Sequence, residues 1–478
     1  MLKALIIGAD AVAPDYIFGR PELYPNITKL KNSGASSAYS AYVQKGYNGS
    51  YLSEMNWSSI YTGLTPKEHK VLQQNVDGIR NTPEMKTFDT LRPFWKEIND
   101  AGYSVGLWAA DCCVNPKEIN GYVVSAKYEM ISTPTENRVA KRELQICSGD
   151  KKLQEHISRN VPPRLYPRTL VQQGYLFEEL KDNEDSAWEA VENYHFNDAI
   201  ENFREELAFF YESIVNAQSA YPVDGCYFYT PSAALIAHCC MCSDDNDVLI
   251  QAYQVLDEFV GKLIETLQPE YTMFLSDHGM VNFKDLISSK DREIQREAFA
   301  ARDEVLWLKN GYIAFEAHNG ALLFTAHALK GTFVVAGKHI KHTELKEMRT
   351  VDIYPTLLEL FRLKVPSGRS GFVQDIFERP LINEEMLLKS ENVCYKAIAL
   401  IQCHQPSITD IILNELYIEN RFAKIAVVGN ERYREIFSNN PRVAEFISYE
   451  EFREENFEEI YCGIYNETTK EMNHMRIK

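Results

Sequence analysis

Short apolar runs alternate with amphipathic stretches along most of the chain. The runs are rich in β-branched residues and predict strands, whereas the stretches between them have the period of helices. The predicted strands cover residues 2–7, 104–109, 226–229, 272–275 and 332–336, and the predicted helices cover residues 24–33, 88–101 and 247–267. This alternation favours an α/β fold in which helices sandwich a mostly parallel sheet.

A stretch from about Ser132 to Ala220 interrupts the alternation, first with basic residues and then with an acidic, helix-rich half. Because long excursions from a compact domain usually carry function or are disordered, we predict an inserted cap at about 132–220 within a main domain of residues 1–380. A solvated basic face and a grip on a phosphate or carboxylate group are alternative roles for its basic side chains. These are Arg138, Lys141, Arg142, Arg164 and Arg168.

The composition changes after Pro380. Residues 395–402, 424–429, 443–447 and 458–465 are predicted strands, and residues 408–420, 431–438 and 449–456 are predicted helices. This pattern is sufficient for a small appended α/β domain over residues 392–478. No cluster of titratable residues stands out in it, so we expect a docking or homo-oligomer contact role.

Composition and charge narrow the classes of function. Of 478 residues, 45% are hydrophobic and 25% are charged, which is typical of a globular protein. A formal net charge of −18 argues against general nucleic-acid binding, which needs clustered Lys and Arg. Neither a signal peptide nor a membrane span is recognised, so we expect a cytoplasmic protein without a membrane partner, whose ten cysteines are reduced.

Metal-competent side chains follow two of the predicted strands. Asp277 and His278 come directly after the run that ends at Leu275, and Asp10 comes after the first strand. Ligands gather at the carboxyl ends of strands in open α/β sheets, and a carboxylate–imidazole set suits zinc or manganese. A helix cap or a turn hydrogen bond is the alternative role for each aspartate.

A second block runs from Ser53 to His69 and includes Thr62-Gly63-Leu64-Thr65-Pro66. With this block, residues 1–380 resemble the alkaline phosphatase superfamily, in particular its type I phosphodiesterase and nucleotide pyrophosphatase branch. The likeness is carried, in matching order and spacing, by residues 6–17, 25–34, 62–69, 276–280 and 351–371. The resemblance implies an alkaline phosphatase-like fold and hydrolysis of a small phosphorylated substrate.

The resemblance also implies a nucleophile nine residues before Thr62, which is Ser53. Metal coordination can lower the pKa of an oxygen by many units, as it takes water from about 15.7 to about 7, so the serine needs no histidine base. Met55 stands where the family usually has proline, and Ser58 and Ser59 therefore remain alternatives.

By resemblance, one divalent ion would be held by Asp10, Ser53, Asp277 and His278, and a second by His238 and His327. The competing histidines for the late position are His318, His339 and His342. The resemblance further places an amide that binds phosphoryl oxygens near residue 74 or 75, where Gln74 and Asn75 are the candidates.

The second ion lacks one ligand in the sequence, because the family has an aspartate four residues before the first histidine and this chain has Ala234 there. Ser232 is the nearest polar substitute, and a thiolate from the cysteines beside His238 is another candidate. These cysteines are Cys239, Cys240 and Cys242. Fewer anionic ligands weaken metal binding, so a one-metal enzyme and a catalytically silent protein both stay open.

The function predicted from these residues is that of a phosphodiesterase with one or two zinc or manganese ions and a phosphoserine intermediate on Ser53. The alternative is a silent relative that binds a ligand or a partner. A sulfatase is disfavoured, because sulfatases of this superfamily typically need a modified cysteine and none stands near residue 53.

Overall fold

The computed structural model describes most of the chain. The described residues are 2–42, 53–71, 91–108, 119–132, 138–146, 164–165, 177–192, 197–239, 247–282, 293, 305–307, 313–316, 322–323, 325–389, 394–403, 406–440, 442–466 and 471–478. Within these ranges, no helix is both long enough and apolar enough to cross a lipid bilayer.

Strands and helices alternate over the described residues. The strands are β1 (Ala4–Ala9), β2 (Gly34–Ser40), β3 (Val105–Trp108), β4 (Gly121–Ser132), β5 (Arg138–Ile146), β6 (Arg164–Leu165), β7 (Gly225–Thr230), β8 (Tyr271–Leu275), β9 (Gly279–Asn282), β10 (Val305–Trp307), β11 (Ile313–Glu316), β12 (Leu322–Leu323), β13 (Thr325–Ala328), β14 (Lys330–Gly337), β15 (Thr343–Glu344), β16 (Val373–Gln374), β17 (Leu387–Leu388), β18 (Lys396–Ile401), β19 (Ala423–Gly429), β20 (Glu445–Ser448), β21 (Glu459–Asn466) and β22 (Glu471–Arg476). The α-helices are α1 (Pro14–Ile17), α2 (Pro25–Asn32), α3 (Ser53–Thr62), α4 (Pro66–His69), α5 (Phe94–Asp100), α6 (Phe177–Leu180), α7 (Glu184–Glu192), α8 (Asn197–Ala220), α9 (Ser232–Cys239), α10 (Asp247–Leu267), α11 (Ile353–Leu360), α12 (Pro406–Glu419) and α13 (Arg434–Ser438).

A ten-stranded sheet organises the main body, in the order β15-β2-β14-β8-β1-β7-β3-β4-β5-β6. The middle strands β8, β1, β7, β3 and β4 are parallel, whereas β14 and β5 run antiparallel to their neighbours. Helices cover both faces. The mostly parallel, helix-sandwiched sheet predicted from the sequence is therefore confirmed.

Alternate residues of β1 pack into two separate cores. Leu5 and Ile7 join a cluster formed with α2, α8, α9 and α10, while Ala4 and Ile6 join a cluster formed with α3, α5 and α11. Because successive side chains of a strand point to opposite faces, a strand covered on both faces must be apolar throughout. This explains the continuous apolar runs of the sequence.

The segment predicted as a cap contributes to the main body. β5 and β6 extend the central sheet beyond β4, and α8 packs against α10. Phe203 and Phe210 of α8 are buried in the same core cluster as Phe228 of β7. Of the five basic residues that were candidates for either an anion site or a solvated face, three lie on β5, which is four strands away from β1 in the sheet order, and one lies on β6. Arg168 lies outside the described residues.

A separate five-stranded sheet forms the C-terminal unit, defined as residues 394–478, with the order β20-β19-β18-β21-β22. The four predicted strands are confirmed and are parallel, and α12 and α13 occupy two of the predicted helices. The helix predicted at 449–456 is wrong, because only a 3-10 turn at Glu454–Asn456 forms there. The antiparallel edge strand β22 was not predicted.

Cys403 and Cys462 are paired as a disulfide in the C-terminal unit. The two cysteines lie on neighbouring parallel segments, since Ile401 of β18 is in register with Cys462 of β21. The expectation that all ten cysteines are reduced therefore does not hold for this pair. The cytoplasmic location stays a prediction.

Candidate metal centre

Asp10 and Asp277 meet at the carboxyl ends of neighbouring parallel strands. Gly8 of β1 is in register with Leu275 of β8, so the residues two positions further along each strand lie side by side. The backbone N–H of Ala11 donates to Asp277 Oδ1 at 3.2 Å, which ties the two strand ends together. Both carboxylates are buried, and the sheet topology alone is sufficient to bring them together.

The turn after β8 fixes the orientation of His278. Ser276 Oγ accepts a hydrogen bond from the Val12 N–H at 2.7 Å and donates to the His278 carbonyl at 2.6 Å. His278 Nδ1 lies 2.9 Å from the Gly279 carbonyl, which can only accept, so Nδ1 carries the proton and Nε2 faces the carboxylates. A side chain at Gly279 would come within 2.6 Å of the Lys330 carbonyl, so this position requires glycine.

The backbone beside Asp10 is also constrained. Ala11 has a φ of 56°, in the left-handed region that non-glycine residues rarely occupy. Its N–H bonds Asp277, and its carbonyl accepts from the Tyr253 hydroxyl at 2.8 Å. Such backbone strain persists where surrounding contacts impose it, and it is commonly found at functional sites.

Ser53 is the first residue of α3 and places its hydroxyl between the two strand tips. Its Oγ lies 3.2 Å from Asp10 Oδ1 and 3.0 Å from His278 Nε2. The other oxygen of Asp10 accepts a hydrogen bond from the Tyr229 hydroxyl at 2.7 Å. The structure thus brings together the four residues predicted to share one ion.

Burial and the two close carboxylates shift the pKa of two residues in this pocket. Burial, followed by the charge of Asp277, raises the pKa of Asp10 to about 7. Burial by itself would lower the pKa of His278, but the nearby Asp277 and Asp10 carboxylates outweigh it and raise the pKa to about 9. The His278 shift reports the negative potential of the two carboxylates, which favours a bound cation, whereas the Asp10 shift is caused first by burial.

The donor set fits a divalent ion. Single ligand atoms of Asp10, Asp277 and His278 all lie within 4.8 Å of one another. Asp277 Oδ2 is buried and lies 3.0 Å from His278 Nε2, yet among the described residues it accepts no well-directed hydrogen bond. A bound cation would satisfy the remaining lone pairs of these buried oxygens, and two carboxylates with one imidazole match the preferences of zinc and manganese.

His238 and His327 form a second pair beside this pocket. Their Nε2 atoms face each other at 2.9 Å, and the His327 ring stacks on the His278 ring with centroids 4.0 Å apart. His327 reaches this position because β13 pairs with β9, which follows His278 directly. Burial, and then the charge of His278, lowers the pKa of His238 to about 4, so its neutral imidazole is available as a ligand.

Residue 234, before the second histidine pair, is an alanine and supplies no carboxylate. Ala234 is buried in the apolar core of the main body. Ser232, which begins α9, donates from its Oγ to Glu206 Oε2 at 2.7 Å, so a buried carboxylate of α8 lies close to the tip of β7. The Cys239 side chain, Cys240 and Cys242 fall outside the described residues.

The remaining sequence candidates lie elsewhere or outside the described residues. Gln74, Asn75 and His318 belong to the latter group. His339 and His342 are exposed on the loop after β14, which lies at the amino ends of the parallel strands, whereas Asp10 lies at their carboxyl ends. Ser59 is 2.9 Å from His69 Nε2 instead of facing the pocket, and Ser58 is fully buried.

Two contributors were missed by the sequence reasoning. Tyr229 holds Asp10, and Ser276 holds the turn that carries His278. A tyrosine within an apolar strand is ordinarily a core residue, so its type gave no signal. Ser276 could have been found, because it is the first polar residue after β8 and precedes the Asp-His pair directly.

Comparisons with known proteins add to this geometry. A family model described as type I phosphodiesterase / nucleotide pyrophosphatase matches residues 4–355. No curated protein matches the sequence. The chain is similar to two solved structures of ectonucleotide pyrophosphatase/phosphodiesterase 5, namely the murine protein as an inactive variant in complex with AMP and the human protein. Each is 13% identical to this chain, with a TM-score of 0.43. Each match covers 77% of this chain, together with 98% of the murine and 97% of the human chain. A variant of the alkaline phosphatase PafA is also 13% identical, with 77% and 97% coverage and a TM-score of 0.45.

Proposed function

Because the chain belongs to the type I phosphodiesterase / nucleotide pyrophosphatase family, we propose that it is a metal-dependent phosphodiesterase with Ser53 as its nucleophile. The observation that carries the proposal is the position of Ser53 Oγ, 3.2 Å from Asp10 Oδ1 and 3.0 Å from His278 Nε2. A helix cap has no need of two such partners from separate strands.

Each residue of the pocket has a role that its contacts support. Asp10, Asp277 and His278 would hold a zinc or manganese ion, which supplies Lewis acidity that makes the serine oxygen nucleophilic. Tyr229 orients Asp10, and the hydrogen bond from Nδ1 to the Gly279 carbonyl orients His278. Ser53 presents its oxygen at the N-terminus of α3, where the helix dipole favours an anionic phosphoryl group.

The reaction proceeds in two displacements. Ser53 Oγ bonds to phosphorus as the bond from phosphorus to the leaving oxygen breaks, and the serine proton ends on the leaving alcohol. Water then bonds to phosphorus, the bond to Ser53 breaks, and a proton returns to the serine. The products are an alcohol and a phosphate monoester, and we propose a small phosphodiester as the substrate class.

His238 and His327 would hold a second ion. Their facing Nε2 atoms support this role, whereas the apolar Ala234 position argues for weaker binding than at the first site. This substitution is also the observation that favours the second candidate function, a catalytically silent family member that binds a ligand or partner. Metal content separates the two, since the silent protein is expected to retain little metal and to hydrolyse nothing.

The test uses the full chain purified without chelator. Bound zinc and manganese are measured, and hydrolysis of bis(p-nitrophenyl) phosphate is compared among wild type, Ser53→Ala and Ser58→Ala. Ser58 is a matched control on the same helix, because its buried hydroxyl has no hydrogen-bond partner among the described residues. We expect Ser53→Ala to lose at least about 100-fold in kcat while still binding metal, and Ser58→Ala to behave as wild type.

An acid-quenched reaction should yield a peptide in which Ser53 carries a p-nitrophenyl phosphoryl group, because only one of the two alcohols has left at that stage. If Ser53→Ala hydrolysed the substrate at the wild-type rate, the role of this residue would be refuted. Absence of both metal and hydrolysis in wild type would support the silent alternative instead.

A further inference from the structure

The C-terminal unit packs against the part of the main body that carries Ser53. Ile418, near the end of α12, packs against a small buried cluster formed by Tyr42, Met55 and Val351. Met55 lies two residues after Ser53 in α3. An apolar side chain of the C-terminal unit therefore packs against the cluster that includes Met55 of the first turn of α3.

A buried arginine of the same unit also reaches the main body. Arg442 is only 4% exposed, and its guanidinium donates to Asn414 within the C-terminal unit and to the Ala41 carbonyl of the main body. The guanidinium also lies over the Tyr417 ring, 4.8 Å from its centroid. A buried cation that donates to a main-chain carbonyl fixes that segment, because losing the contact would leave a charged donor unsatisfied.

The segment held by Arg442 is bonded in turn to α3. Asn56 is fully buried, and its side chain accepts from the Tyr42 N–H at 2.7 Å and donates to the Tyr42 carbonyl at 3.0 Å. Asn56 lies one helical turn after Ser53. Hydrogen bonds thus link Arg442 through the Ala41–Tyr42 segment to the first turn of α3, which carries Ser53.

An arginine of the main body, Arg349, also contacts the C-terminal unit. Arg349 donates to the Tyr417 carbonyl at 3.2 Å and lies over the same ring at 4.3 Å from the centroid. Tyr417 therefore contacts one guanidinium from the main body and one from the C-terminal unit. Contacts on several sides give the C-terminal unit a defined position at the start of α3.

We propose that the C-terminal unit positions the nucleophile, with Arg442 and Ile418 as positioning residues that hold the first turn of α3. The inference rests on the proposed role of Ser53. Reacting atoms must stay aligned within a fraction of an ångström, and a helix terminus is the part of a helix that frays most readily. Contacts from the C-terminal unit counter this fraying and keep Ser53 Oγ beside Asp10 and His278.

The test compares Arg442→Met, Arg442→Lys and Ile418→Ala with a control, Arg434→Met, in the full chain. Arg434 bonds Glu431, Glu451 and the Phe446 carbonyl, all within the C-terminal unit. We expect Arg442→Met and Ile418→Ala to lower kcat about 10-fold or more with KM and bound metal unchanged. Arg442→Lys should restore part of kcat, and Arg434→Met should retain all of it.

Amide hydrogen exchange supplies a readout that needs no substrate. Peptides from residues 53–62 should exchange faster in Arg442→Met and Ile418→Ala, while peptides from residues 271–280 and the Arg434→Met protein stay at wild-type rates. Unchanged exchange at 53–62, or a loss of kcat only in proportion to lost metal, would overturn the proposal. A wild type that hydrolyses no phosphodiester would refute the proposed function, and the exchange rates would still decide whether α3 is held.

Discussion

Asp10, Asp277 and His278 lie together because they follow neighbouring parallel strands of one sheet. All three could be predicted as candidate ligands, because each follows an apolar run that favours a buried strand, and the carboxyl ends of parallel strands lie on the same side of a sheet. Tyr229 could not be predicted in this way, since its role depends on a hydroxyl that contacts Asp10 across 219 positions of sequence. Residue type and local pattern identify the ligands but not the side chains that orient them.

His69 gives a prediction at the same scale. It is buried, accepts from the Val71 N–H at its Nδ1, and contacts Ser59 through Nε2. Burial lowers its pKa from 6.5 to about 4. As the pH falls below 6.5, the unfolded chain takes up a proton that the folded protein excludes. The contribution of the neutral His69 to the free energy of unfolding is therefore complete above pH 6.5 and is lost as the pH falls towards 4. The loss is about 2 kcal/mol between pH 7 and pH 5.

His69→Asn should remove that share of the pH dependence, since asparagine keeps an acceptor for the Val71 N–H and does not titrate. Urea unfolding at pH 7 and pH 5 measures the change in the free energy of unfolding for each protein. His342→Asn, at an exposed position, is the matched control and should follow wild type. Equal pH dependence in wild type and His69→Asn would contradict the prediction.

Element boundaries were predictable wherever apolar periodicity was strong. The helix predicted at 247–267 matches α10, and the strands around Leu275 and Tyr229 differ from prediction by a residue or so at each end. The helix predicted from 88 instead begins at Phe94, because Pro93 takes its N-cap position and Arg92 has a φ of 54°. Proline fixes the start of a helix more firmly than amphipathic pattern does.

The contact between β1 and α3 supports a prediction for Gly8. A methyl group added at Gly8 would come within 2.7 Å of the Trp57 ring, which is fully buried one turn after Ser53. Gly8→Ala should therefore push α3 outwards, lower the free energy of unfolding by about 1–3 kcal/mol, and reduce kcat.

A double-mutant cycle with Trp57→Phe checks the cause. Phenylalanine lacks the ring atoms nearest Gly8, so the double variant should be more stable than the sum of the single effects predicts, by at least about 1 kcal/mol. Urea unfolding of the four proteins gives this coupling. Additive effects would show that the ring contact is not what makes glycine necessary.

At the scale of the whole molecule, the sequence indicated two parts but not how they fit. The composition change after Pro380 marks the C-terminal unit, and its strands follow from local pattern. Its packing near α3 depends on contacts such as that between Arg442 and Ala41, two residues that are 401 positions apart in the sequence. The local sequence pattern carries no information about such pairs. A second unit was therefore predictable, whereas the surface of the main body against which it packs was not; its docking or homo-oligomer role stays a prediction.

The ion pair between Arg421 and Asp352 leads to a prediction about cooperativity. Asp352 is fully buried in the main body and accepts from Arg421 Nη2 of the C-terminal unit at 2.6 Å, as well as from the Phe372 N–H at 2.7 Å. Removing one partner of a buried pair leaves an uncompensated charge, which costs about 3–5 kcal/mol. We expect calorimetry to show one unfolding transition for wild type and an earlier, separate transition of the C-terminal unit for Arg421→Met.

The control for this prediction is Lys341→Met, which removes an ion pair with Asp375 on the surface of the main body, where the side chains are 37% and 58% exposed. Exposed pairs contribute about 1 kcal/mol or less, so this variant should keep the single transition. Two transitions in wild type would mean that the interface is too weak to couple the two parts. An unchanged single transition in Arg421→Met would mean that the remaining contacts, those of Arg442 and Arg349 among them, suffice without this pair.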